Sequence, residues 1–241
     1  MSALGTPRED DASALATEVV CADWVALWYE PWRRMHPAWL DEAATSGRVP
    51  ADQSHWLDRI RSPGPARRLA YRWFCAHFDI DADQPLPLDR LQLLPAHLPL
   101  DGAALDRAAL ALGRVAYASR CLSGAHRDLA DLFSPQRGDA PLWRDALRLA
   151  KARPLRTEGA RPPPGASDLD LRRWSLPLMA RLIDDALPGA WSRLRLRCDP
   201  ALLQDGQAPP RLPDSAVALR RQAWRIWRNG AVAPLHLPAS P

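Results

Sequence analysis

The sequence contains one stretch, residues 102 to 122, in which apolar residues follow a helical period and no proline intervenes, although the chain has 25 prolines. Asp101 precedes this stretch as a candidate N-cap, and Gly124 follows it as a helix stop. Arg107 and Arg114 fall on one side of the helix, and the apolar positions cover more than one other face. These positions are Leu105, Ala108, Ala109, Leu110, Leu112, Val115, Ala116 and Tyr117. Such a helix needs neighbours on several sides, so we predict that it forms the centre of the fold.

Most of the remaining chain also follows the helical period, and its prolines lie between the periodic segments, where they end or begin helices. The other predicted helices cover residues 12–29, 37–47, 52–61, 65–78, 88–94, 125–133, 139–153, 168–174, 178–187 and 215–229. We therefore predict an all-α protein, an irregular multi-helix bundle around the central helix with proline-rich connections. Residues 193 to 198 alternate with a period of two, which suits an edge strand, although their first half also suits a helix.

Residues 154 to 166 are the strongest candidate for a linker, because three consecutive prolines at 162 to 164 can neither continue a helix nor pair in a sheet. The linker divides the chain into two predicted parts. Residues 1 to 153 form an N-terminal helical region that contains the central helix, and residues 167 to 241 form a smaller C-terminal helical region.

The charge of the chain is spread along it, which argues against a dedicated nucleic-acid-binding run. It has 32 basic and 28 acidic residues, and Lys151 is the single lysine. The four cysteines, Cys21, Cys75, Cys121 and Cys198, are far apart, which predicts buried thiols in a reducing compartment. The sequence has neither a secretory signal nor an apolar run long enough to span a bilayer. These features predict a cytoplasmic protein without membrane insertion.

Motifs that carry catalysis or cofactor binding are missing from the sequence. It has no phosphate-binding loop, dinucleotide fingerprint, nucleophile elbow or zinc-protease helix. Residues 79 to 83 begin like a calcium loop, but Gln84 and Arg90 stand where glycine and a bidentate acid are required. We therefore predict no enzyme activity, no cofactor and no metal.

Two clusters of tryptophan and arginine are candidates for partner binding, because both residue types are enriched at protein interfaces. The first consists of Trp28, Trp32, Arg33 and Arg34, and the second of Arg221, Trp224, Arg225 and Arg228. In the alternative interpretation the tryptophans anchor helices on the core and the arginines form a solvated face.

Two stretches of the chain resemble the SctK/YscK-type family of type III secretion systems. The segment from His36 to Leu40 reads H-P-A-W-L, similar to an element near the N-terminus of that family. A second segment resembles the family in its order of short motifs: Leu93-Leu94-Pro95, Leu98-Pro99-Leu100-Asp101, Ala104-Leu105 and Leu110-Ala111-Leu112-Gly113. The resemblance covers about a third of the chain and does not extend beyond Arg153.

The resemblance implies a structural function without catalytic residues. Members of this family are accessory components of the cytosolic sorting platform and bridge the inner-membrane ring protein and the SctQ-type pod protein. The expected partners are therefore the cytoplasmic domain of the ring protein and the pod protein, at the cytoplasmic face of the inner membrane. No nucleic acid is expected in this interpretation. The alternative is an arginine-rich helical protein that binds nucleic acid or acts as a regulator.

Overall fold

The computed structural model describes residues 22–39, 67–91, 101–124, 132, 140–158, 161–203 and 217–231. These residues form an all-α structure without β-strands, as predicted. The α-helices are α1 (22–29), α2 (Arg67–His77), α3 (Leu88–Leu91), α4 (Gly102–Ser123), α5 (Ala140–Ala152), α6 (Asp168–Ala186), α7 (Ala190–Leu194) and α8 (Val217–Ala231). Short 3-10 helices cover Pro31–Arg34, Arg195–Arg197 and Pro200–Leu202. The predicted helices at 52–61 and 125–133 lie outside the described residues, apart from Leu132.

Helix α4 is the predicted central helix, and its ends confirm the capping signals of the sequence. The Asp101 carboxylate accepts a hydrogen bond of 3.2 Å from the Ala104 N–H, and Gly124 follows the last turn. Helices α5, α6 and α8 all pack against α4. Its buried residues therefore occupy several faces, as the broad apolar surface of the sequence predicted.

The position predicted for Arg114 is wrong, because this residue is buried. Its side chain pairs with Asp168 at 2.8 Å, and its guanidinium lies 5.4 Å from the ring centre of Trp143. Asp168 belongs to the first turn of α6, so the ion pair joins α4 to α6 across their contact. A partner 54 residues away therefore explains why a charged residue occupies the buried side.

Helix α6 is continuous, although the sequence predicted two helices separated before Pro177. Ser167 caps it in a reciprocal arrangement with Asp170, and this hydrogen bond lowers the pKa of the Asp170 carboxyl. Pro177 removes one backbone hydrogen bond, and burial of Leu176 and Leu178 on either side of it compensates this loss.

Small residues bring α6 very close to α4. The Ser175 hydroxyl donates a hydrogen bond of 2.7 Å to the Ala109 carbonyl of α4. Gly113 faces the backbone of Leu171, where an added Cβ would lie 2.6 Å from the Leu171 carbonyl oxygen. The two helices can approach this closely only because position 113 has no side chain.

The described part of the predicted linker lies along α4. Leu155 is buried, and its N–H donates to the Ser119 hydroxyl at 2.9 Å. Further along, Arg120 donates to the Pro162 carbonyl at 2.7 Å, and the Gly165 N–H donates to the Tyr117 hydroxyl at 3.1 Å. Residues from both sides of this segment contribute to one hydrophobic core, whose members include Leu105 and Leu112 before it and Met179, Ile183 and Trp227 after it.

Residues 193 to 198 are helical rather than a strand. Helix α7 contains Arg193, and the 3-10 turn Arg195–Arg197 continues from it. Four residues of this segment are buried: Arg193, Leu194, Leu196 and Arg197. The alternation of leucine and arginine therefore does not separate a buried face from an exposed face. This is why the period of two misrepresents the structure.

Candidate functional site

The structure separates Trp28 from the other members of the first predicted cluster, because the Trp28 side chain is completely buried. Its indole N–H donates to the Gln84 carbonyl at 2.8 Å, and the guanidinium carbon of Arg193 lies 4.1 Å from its ring centre. These contacts hold Trp28 in the core and correct its placement in a partner-binding surface. It serves as an aromatic anchor of α1.

The remaining members of the first cluster lie at the surface to different extents. Trp32 is half-buried and packs edge-on against Tyr71 and Phe74, with ring centres 6.0 and 5.6 Å apart. Arg33 and Arg34 are exposed and pair with Glu30 at 2.5 Å and Asp23 at 3.1 Å. These ion pairs neutralise much of the positive charge of Arg33 and Arg34. The surface beside the half-buried Trp32 is therefore only weakly charged.

The second predicted cluster lies on α8. Arg221 and Arg225 are exposed, and neither forms an ion pair with the described residues. Trp224 is half-buried and packs on Trp227, with ring centres 4.7 Å apart. Arg228 belongs to the same helix, but its side chain lies outside the described residues. The structure thus brings Arg221 and Arg225 to one surface.

These two arginines line a groove between α5 and α8 with a volume of about 690 Å³. Its apolar lining comes from Leu149 and Ala152 of α5 and Ile226 of α8. Its polar lining comes from Arg153, Arg221, Gln222 and Arg225. Both helices are fixed because they pack on the central helix α4, so the groove is part of the folded structure.

Gln222 connects the two walls of the groove. Its amide nitrogen donates to the Arg153 carbonyl at the end of α5. Its amide oxygen is buried and has no hydrogen-bond partner among the described residues. The residue therefore joins the two walls through its amide nitrogen.

The walls of the groove concentrate positive charge. Helix α8 contains four arginines and no acidic residue, whereas residues 140–153 contain three arginines, one lysine and one aspartate. The formal charge of these two segments is thus +7, against +4 for the whole chain. Two of these arginines are paired with carboxylates, Arg148 with Asp145 at 3.3 Å and Arg220 with Asp185 at 3.5 Å. The charged residues that line the groove itself are all basic, namely Arg153, Arg221 and Arg225, and such a lining attracts negatively charged partners.

The described residues contain no group of three or more histidine, cysteine or acidic side chains that could hold a metal ion. Cys75, Cys121 and Cys198 are buried thiols, as predicted, while Cys21 lies outside the described residues. Burial raises the pKa of Cys198 to about 12, which keeps this thiol protonated and unreactive.

Sequence reasoning missed part of this site. Leu149 and Ala152 line the groove, and the sequence analysis did not assign either residue to a site. A useful signal was present in α8, which contains arginines but no acidic residue. The burial of Arg193 gave no signal, since two of its three acceptor carbonyls belong to distant segments.

None of the helices in the described residues is both long enough and apolar enough to span a bilayer. Comparisons with protein-family models, curated proteins and solved structures find no match to this chain.

Proposed function

We propose that this protein is a non-catalytic adaptor of the cytosolic sorting platform of a type III secretion system. In this role it bridges the cytoplasmic domain of the inner-membrane ring protein and the SctQ-type pod protein. It works at the cytoplasmic face of the inner membrane, without a cofactor. The proposal starts from the two stretches of sequence that resemble the SctK/YscK-type family.

The proposal is carried by one observation: both stretches contact the same short segment, residues 196–198. From the first stretch, the His36 N–H donates to the Leu196 carbonyl at 2.8 Å, and the Trp39 indole N–H donates to the Cys198 carbonyl at 2.9 Å. From the second stretch, Gly102 lies directly against the backbone of Arg197.

Several residues of the second stretch also have structural roles in the fold. Asp101 caps α4, Leu105 and Leu112 are buried, and Gly113 allows the close contact with α6. The described residues of the two stretches therefore pack as one structural unit, which supports a resemblance at the level of the fold. The candidates for partner binding lie elsewhere: they are Trp32 near α1 and Arg221, Trp224 and Arg225 on α8.

Copurification with the two platform proteins tests the proposal. The ring protein's cytoplasmic domain and the pod protein are each mixed with the full chain and with the variants Trp32→Ala and Trp224→Ala. Loss of an interface hot-spot tryptophan lowers affinity by about 30- to 1,000-fold. Thermal melts of every variant separate loss of binding from loss of folding.

Trp28→Ala is the matched control, since Trp28 is buried: it should lower the melting temperature and act on binding only through folding. If the unmodified chain captures neither platform protein, the adaptor function is wrong. If it instead retards DNA in a salt-dependent way, the basic surface belongs to a nucleic-acid-binding protein.

A further inference from the structure

We propose that the groove between α5 and α8 binds an acidic amphipathic helix of a partner protein. The inference rests on the groove alone and is independent of the secretion-system proposal. It commits to one class of occupant, a helix with apolar residues on one face and carboxylates at the margins of that face.

The apolar lining determines the shape of the occupant. Leu149 and Ala152 are three residues apart on α5, and Ile226 faces them from α8. A groove between two helices accepts a third helix that inserts side chains spaced by three and four residues. The volume of about 690 Å³ lies in the range of sites that enclose several side chains.

The arginines Arg221 and Arg225 at the margin of the groove favour an occupant that carries carboxylates. Arg221 and Arg225 are four residues apart, so they lie on one side of α8 in successive turns. Neither is neutralised by a described carboxylate, and Asp185, the acidic residue that approaches α8, pairs with Arg220 at 3.5 Å. A nucleic acid would satisfy the arginines, but its phosphates would leave the apolar lining unfilled.

The apolar lining and the arginines of the margin together define the occupant. The groove therefore specifies a helix with an apolar centre and acidic margins.

A labelled peptide tests this inference directly. The probe is a fluorescein-labelled peptide of about 18 residues, with leucines at helical i, i+3, i+4 and i+7 positions and glutamates beside them. Fluorescence polarisation measures its binding to the full-length chain. The control peptides are a scrambled sequence of the same composition and a version with lysine in place of each glutamate.

Two variants change the groove in different ways. The double variant Arg221→Glu with Arg225→Glu reverses the charge of one margin, and Ala152→Trp fills the groove without changing charge. Each should weaken binding of the acidic peptide by about tenfold or more. Arg148→Glu is the matched control, because Arg148 lies on α5 outside the lining and is highly exposed. It should change binding by less than about twofold.

The outcomes are decisive when melting temperatures confirm that the variants are folded. Preference for the acidic amphipathic peptide, together with loss in both groove variants and retention in Arg148→Glu, supports the proposal. Equal binding of the scrambled peptide, no binding of the acidic peptide, or unchanged binding in the groove variants overturns it. Sedimentation that shows a dimer lost in Ala152→Trp would assign the groove to a second copy of this chain instead.

Discussion

Replacing Arg193 by methionine should destabilise the protein, because this buried arginine joins the start of its own helix to two distant segments. Its guanidinium donates to the carbonyls of Gly189 at 2.9 Å, Asp81 at 2.8 Å and Trp28 at 3.3 Å. It also lies over the Trp28 ring. Methionine fills part of the same space but has no donor, so all three connections are lost while apolar packing is partly retained.

The magnitude follows from the surroundings of each carbonyl. Asp81 and Gly189 are not buried, so water can replace the lost donor and each hydrogen bond contributes about 1 kcal/mol. The Trp28 carbonyl keeps a hydrogen bond of 3.2 Å from Tyr71. The cation–π contact with a buried ring adds about 1 to 2 kcal/mol, and relief of the buried charge offsets about 1 kcal/mol. The net loss is about 2 to 3 kcal/mol.

For a chain of this length that loss lowers the melting temperature by about 5 to 10 °C. Thermal unfolding followed by circular dichroism measures it. Arg148→Met is the control, since this side chain is 78% exposed and should change stability by less than about 0.5 kcal/mol. Arg193→Lys keeps the charge but not the planar set of donors, so it should resemble methionine more than arginine. Equal melting temperatures for Arg193→Met and Arg148→Met would refute the reasoning.

Three further predictions concern packing, alkaline pH and the segment after α5. Gly113→Ala should cost about 1 to 3 kcal/mol in thermal melts, because its Cβ forces α4 away from Leu171, and an unchanged melt would contradict the close contact. Burial raises the pKa of Cys198 from 9.0 to about 12, so the unfolded chain ionises first as pH rises. Ionisation of Cys198 should therefore lower the free energy of unfolding by about 1.4 kcal/mol per pH unit from 9 towards 12, and Cys198→Ala should remove this contribution. Equal slopes for the unmodified chain and Cys198→Ala would contradict it. Trypsin should cleave after the exposed Arg156, yet the two fragments should coelute in gel filtration because both contribute to one core, and their separation would argue for independent regions.

The central helix was predictable because its signals are local. Asp101 and Gly124 mark its ends within the sequence, and its apolar period requires no knowledge of distant residues. The buried arginines were not predictable for the opposite reason. Arg114 is stabilised by Asp168, and Arg193 by backbone carbonyls of two distant segments. A helical pattern contains no information about such partners.

The candidate site was predictable only in part. Arg221 and Arg225 were predicted as candidates from the cluster of arginine and tryptophan in this helix, and both are exposed in the structure. Whether a tryptophan is an anchor or an exposed contact depends on what packs around it, so sequence alone could not distinguish buried Trp28 from half-buried Trp32. The groove required the relative placement of α5 and α8, which only the packing of both on α4 determines.

The position of α4 in the chain has a consequence for synthesis on the ribosome. Its neighbours α6 and α8 follow it in sequence, so α4 emerges before the helices that cover it. Roughly 100 residues separate the end of α4 from the end of α8, and translation of that length takes roughly 5 to 20 s. During this interval a 22-residue helix with a broad apolar surface is exposed on the nascent chain. The core can close only after the last helix is made, which favours late folding and gives chaperones a defined period in which to act.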